Sequence, residues 1–145
     1  MLTRWKNREN SGAVVMYSLA TPSSPVLLCY YEDTSTYYTG MSVSVTVVSS
    51  APYVLFGSPY NTHGQVGLIP LSSTTATSAN VYFDTFSSGY AFIGQTVAMM
   101  PGSLFGVAAS SYGGSSSSNC VLVVMTVTSS SITGGTPWNA PDTCT

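Results

Sequence analysis

Met41-Ser42-Val43-Ser44-Val45-Thr46-Val47 decides the fold class of this chain. Apolar and hydroxyl-bearing residues alternate strictly, so Met41, Val43, Val45 and Val47 line one face of a strand and Ser42, Ser44 and Thr46 the other. That pattern predicts a half-buried β-strand. Cys120 to Thr128 reads as a second one. Val121, Val123, Met125 and Val127 share a face, while the opposite face begins apolar with Leu122 and Val124 and ends polar with Thr126 and Thr128. One end of this strand is therefore expected to be buried on both sides.

Working outward, further strands are predicted at Ala13 to Leu19, Val26 to Tyr31, Tyr53 to Phe56, Val81 to Phe83, Tyr90 to Ile93, Thr96 to Met100 and Leu104 to Ala109. Pro22, Pro25, Gly40, Pro52, Pro59, Gly89 and Pro101-Gly102 separate them. Proline lacks the ladder donor and glycine favours turn dihedrals, so both punctuate strands. Apolar residues do not recur at helical spacing over any long window, and Glu, Lys, Gln and Arg are scarce. Many short strands between turn signals predict an all-β antiparallel sandwich or barrel. Ser72 to Ala79 and the Ser/Gly stretch from Ser110 to Asn119 read as loops, the second a hairpin loop between two apolar strands. Residues 1–128 are assigned to the sandwich. Residues 129–145 are rich in Gly, Pro, Ser and Thr and are assigned to an extended C-terminal tail, in which Trp138, between Pro137 and Pro141, packs onto this domain or a neighbour.

Composition narrows the function. The chain has 145 residues, 44% hydrophobic and only 6% charged, against about 25% charged in ordinary domains. Arg4, Lys6 and Arg8 are its only Lys or Arg residues. Phosphate, carboxylate and nucleic-acid sites need cations, so most of the chain is poorly equipped for them. Net charge is −2, which gives little colloidal protection. Interface centres are depleted in charge and enriched in Tyr and Met, and ten Tyr and six Met are present. A surface meant to be covered by other chains is favoured over a solvated Ser/Thr surface. No apolar run approaches the ~20 residues of a membrane helix.

No constellation selects an enzyme. His63 is the only histidine; a triad would have to pair it with Glu32, Asp33, Asp84 or Asp142, yet no G-x-S-x-G elbow exists. A polar loop histidine is the preferred reading. Glu32-Asp33 could meet one calcium ion only on a turn, because strand neighbours face opposite ways, and no D-x-D-x-D-G loop is present. No G-x-x-x-x-G-K occurs. Catalytic, cofactor and metal residues are accordingly set at none. Cys29, Cys120 and Cys144 have no C-x-x-C spacing. Three small buried thiols are favoured over one disulfide plus a free thiol, and the disulfide state is left open. Arg4, Trp5, Lys6 and Arg8 form a small basic-aromatic cluster, read either as a weak contact to nucleic-acid phosphates or as a solvated chain end.

One segment carries a resemblance. Val45-Thr46-Val47-Val48-Ser49-Ser50-Ala51-Pro52-Tyr53-Val54-Leu55-Phe56-Gly57-Ser58-Pro59-Tyr60-Asn61-Thr62-His63-Gly64 resembles a stretch of picornavirus-like capsid proteins, in which a strand leads into Pro-Tyr or Pro-Phe and a Tyr and Gly follow. Gly102-Ser103-Leu104-Phe105-Gly106-Val107, its Ser/Gly loop and Cys120 to Thr128 are similar to the final hairpin of the same jelly roll. The resemblance covers about half of the chain and is to the C-terminal portion of such a subunit. It implies a jelly-roll sandwich, incomplete in this chain. It also implies a structural capsid protein of a small icosahedral RNA virus, self-associating with other capsid chains. Arms and tails would lace neighbours together, in the virion and in host cytoplasm during assembly. Genome RNA would then be met by the N-terminal basic cluster or by other chains. Against this stands a secreted or particle-attached binding module that recognises glycan or protein through Tyr-rich loops (Tyr30, Tyr31, Tyr37, Tyr38).

Overall fold

A computed structural model describes residues 2–4, 12–33, 38–59, 64–71, 81–86, 92–110 and 119–143. Twelve strands are assigned among them: β1 (Leu2–Arg4), β2 (Gly12–Ser18), β3 (Val26–Asp33), β4 (Ser42–Val48), β5 (Ala51–Ser58), β6 (Gln65–Pro70), β7 (Tyr82–Thr85), β8 (Thr96–Met99), β9 (Phe105–Ser110), β10 (Asn119–Val127), β11 (Ile132–Gly134) and β12 (Trp138–Thr143). The described residues contain no helix.

The expected antiparallel sandwich is present, built from three sheets. A front sheet runs β1-β2-β3, a central sheet β4-β5-β6-β7, and a back sheet β11-β10-β9-β8 with β12 also on β10. Neighbours in each sheet are consecutive or nearly so along the chain. This order is more local than the two interleaved Greek keys of a jelly roll.

The β5–β6 pair at the middle of the central sheet is buried on both faces, which explains its composition. Tyr53, Leu55, Val66 and Leu68 face the back sheet and join Val97, Met99, Ala108, Val121, Val123 and Met125 in one core cluster. Val54, Phe56 and Ile69 face the front sheet and meet Val14, Cys29 and Tyr31 in a second. With neither face wet, β5 and β6 need no polar alternation, and Tyr53-Val54-Leu55-Phe56 is continuously apolar. Phe56 is fully buried, lies edge-on to Phe83 at 5.8 Å between ring centroids, and is tilted against Tyr31 at 5.5 Å. Its ring occupies the space a side chain at Gly67 would need: a Cβ there would lie 2.1 Å from Phe56 Cζ.

Strand β4 is turned against its expected orientation. Its polar face looks inward to the edge of the back sheet. Ser42 Oγ donates to Gly94 O at 2.8 Å, Ser44 Oγ accepts from Met99 N–H at 2.9 Å, and Thr46 Oγ1 both donates to Met100 O at 3.2 Å and accepts from Gly102 N–H at 3.0 Å. These hydroxyls occupy backbone groups along the free edge of β8, the kind of edge that otherwise recruits foreign strands. Two-residue periodicity then forces the valine face outward. Val43 still reaches the front core, but Val45 and Val47 are exposed. The opposite edge is closed by Asp84 of β7, whose carboxylate accepts the Gly134 N–H of β11.

Other expectations shift in specific ways. The β4–β5 connection is a two-residue turn at Ser49-Ser50, both with positive φ (50° and 67°), and β5 begins before Pro52. The expected tail after residue 128 is instead part of the back sheet. β11 pairs with Met125 to Val127 and β12 with the other end of β10, making one interrupted edge strand. Of the predicted Tyr90 to Ile93 strand only Phe92 and Ile93 are described, and Ile93 forms an isolated parallel bridge with Gly64. The loop from Ser72 to Ala79 lies outside the described residues, as does 111–118.

Two stability measurements check this packing. Gly67→Ala places a methyl inside the Phe56 ring and should destabilise by roughly 2–3 kcal/mol, as overpacking of a full core does, read as a fall in the urea midpoint. Thr46→Val removes two hydrogen bonds and leaves Met100 O and Gly102 N–H without that partner, an expected loss of about 1–3 kcal/mol; an unchanged midpoint would contradict the inward seam.

Candidate functional site: an uncharged sheet face

Of the residues singled out for chemistry, those the structure describes are not brought together. Glu32 and Asp33 lie on β3 and, as strand neighbours, face opposite ways. Glu32 accepts from the Tyr30 hydroxyl, while Asp33 accepts from Tyr31 Oη at 3.1 Å. The two carboxylates are thus each engaged by the tyrosine on their own face of the strand. Asp84 is engaged with Gly134 at the sheet edge. His63, Trp5, Lys6, Arg8, Tyr37 and Cys144 lie outside the described residues, as do the side chains of Arg4 and Asp142. Among the described residues no cluster of three His, Cys, Asp or Glu could hold a metal ion. No helix of the described structure is long and apolar enough to cross a membrane.

Among the described tyrosines of the predicted loop patch, two lie on a strand instead. Tyr30 and Tyr31 are strand residues on opposite faces of β3; Tyr30 is half exposed and Tyr31 belongs to the front core. Tyr38 sits in a turn with φ of 64°. The cysteines also divide differently from the favoured reading. Cys120 is disulfide-bonded, whereas Cys29 is a free thiol buried in the front core. Burial pushes the Cys29 thiol up to about 11. It raises the Tyr31 phenol as well, reinforced by the charge of Asp33 and by the hydrogen bond to it.

What the fold does assemble is a face. Pairing places Val124 opposite Val107 and Val107 opposite Ala98; Leu122 lies opposite Ala109 and Trp138, and Thr126 opposite Phe105. Residues directly opposite share a face. Alternate β10 residues Val121, Val123 and Met125 point into the core, so this set points out. The end of β10 expected to be buried on both sides is therefore open on one: Val124 is 54% exposed. Met100 at 61%, Phe105 at 52% and Trp138 at 59% extend the apolar surface. A groove of about 530 Å³ runs between Ala98, Met100, Phe105, Val107 and Val124.

The face carries no charged side chain. Between Thr85 and Pro141 the sequence contains no Asp, Glu, Lys, Arg or His. Such a surface offers no charged side chain to a ligand. It can shed water against another uncharged, apolar surface. Low charge and abundant Met and Tyr predict a surface meant to be covered. The sequence could not tell which, because Leu122 and Val124 read as core.

Comparison with family models, curated proteins and solved structures finds no match to this chain.

The raised Cys29 and Tyr31 groups give a pH test. Both are neutral in the fold and ionise more readily once unfolded. The Cys29 contribution is fully present below pH 9, the ordinary thiol value, and is lost as pH rises from 9 towards 11, while that of Tyr31 begins to be lost only above pH 10, the ordinary phenol value. Urea midpoints should fall over that window, and Cys29→Ser should flatten its lower part. Native Cys29 should react with a thiol reagent at pH 8 only as fast as the protein unfolds.

Proposed function

We propose that this chain is a structural shell protein: it acts by self-association, as its resemblance to picornavirus-like capsid proteins implies, in a virion whose other chains are its partners. The outer face of the back sheet carries this reading. A sheet four strands wide at about 4.8 Å spacing, over some six residues at about 3.3 Å, presents roughly 400 Å². That is half of the ~800 Å² per partner that a stable isolated pair buries. One such contact is weak. Repeated around a closed assembly, weak contacts become strong, because each later one forms at high effective concentration.

Two further features support the reading. The face contains no charge that would be stranded on burial, so association carries no uncompensated desolvation cost. The remaining cations, Arg4, Lys6 and Arg8, are gathered at the beginning of the sequence. Contact with genome phosphates would fall to them or to companion chains, leaving the sheet faces to meet protein.

Sedimentation velocity and light scattering on the purified chain test this. Sedimenting mass should rise with concentration, and electron micrographs of the concentrated sample should show closed particles. Phe105→Glu, which brings a charge to the exposed face, should keep the melting temperature within about 2 °C and abolish the rise. A wild-type chain that stays monomeric throughout would overturn the reading.

A further inference from the structure

The valine stripe of β4 is a second apolar surface left open by the described residues, and it faces the other way. Ser42, Ser44 and Thr46 point towards the back sheet. Val45 and Val47 therefore point to the front, beside Val54 and Phe56, which lie opposite Val45 and Val43 in the ladder. The front sheet covers Val54 and Phe56 completely and leaves Val47 55% exposed. Met41, just before the strand, is exposed as well. The groove on the back sheet opens on the opposite side of the three layers.

A register slip of one residue would bury these valines and expose the hydroxyls. The seam with β8 forbids it, since four backbone hydrogen bonds depend on the hydroxyls. The exposed stripe is thus a fixed consequence of how the central and back sheets are joined.

We propose that a second copy of this chain covers the β4 stripe, using the outer face of its own back sheet. The inference rests on the self-association proposed above and specifies its geometry. Charge selects the occupant. The stripe bears none, and a charged partner surface would strand its ions against valine; the back-sheet face also bears none. Shape selects it too. The stripe is one strand wide, and the 530 Å³ groove between Met100, Phe105 and Val124 lies in the size range that encloses compact apolar groups. A contact between two different surfaces is heterologous. It leaves one free stripe and one free groove at every step, so it builds rings, shells or filaments rather than a closed pair.

Complementation of two single-face variants tests this. Val47→Glu disables the stripe and Val124→Glu the groove; both positions are exposed, and melting curves confirm that each variant folds. Each alone should sediment as a monomer. Mixed in equal amounts they should give a species of twice the monomer mass and nothing larger, since each supplies the surface the other lacks. Val47→Thr and Val124→Thr, which keep the β-branched shape, should show the same pattern more weakly and stand in if a glutamate variant misfolds. Association of either glutamate variant alone, or a mixture that stays monomeric, would overturn the heterologous contact while leaving self-association standing. A monomeric wild-type chain would instead remove the underlying reading.

Discussion

Burial of the β5–β6 pair on both faces is the constraint from which the rest of the structure follows. A strand pair dry on each side must be apolar on each side, and it must be covered twice. The back sheet supplies one cover through Val121, Val123 and Met125, and the front sheet the other through Val14, Cys29 and Tyr31. Such a layer leaves little slack. Phe56 fits only because Gly67 across the ladder has no side chain, so the largest fully buried residue and the least bulky residue form one packing unit.

The outer strands inherit the consequences. β4 lies at the edge of the central sheet, where it meets β8 of the back sheet. Burying hydroxyls there satisfies the β8 edge, and that seam outweighs the few kcal/mol at stake in burying exposed valines. At the other edge, Asp84 secures β11. The sandwich is closed along both seams by side-chain to backbone hydrogen bonds, while apolar residues are left on its two outward faces. Its exposed apolar surfaces are products of its internal joints.

Eight predicted strands coincide with β2, β3, β4, β5, β7, β8, β9 and β10 to within a few residues. They were legible because alternating or continuous Val, Leu, Ile and Tyr runs express local backbone preference directly. β6 was not among the predicted strands; Gly67 and Pro70 interrupt its short apolar run, although the glycine is there for the Phe56 ring. β11 and β12 escaped notice because Gly134-Gly135 and Pro137 suggest an arm; only the free edge of β10 turns that arm into a strand. The Ser49-Ser50 turn lacks the Asn-Gly signature of such hairpins. For the candidate site, composition revealed an unusual want of charge, but periodicity assigned Leu122 and Val124 to the core and the β4 valines to the buried side.

The sequence by itself determined the all-β class, most of the strands, and the absence of any Lys or Arg beyond Arg8. These follow from side-chain chemistry and from a period of two, which are local properties. Tertiary structure alone decided which face of each strand is wet. Alternation divides a strand into two faces without saying what each will meet. On β4 the hydroxyls met the open backbone of β8 and the valines were left outside. On β10 one apolar face met the central sheet and the other is left open by the described residues.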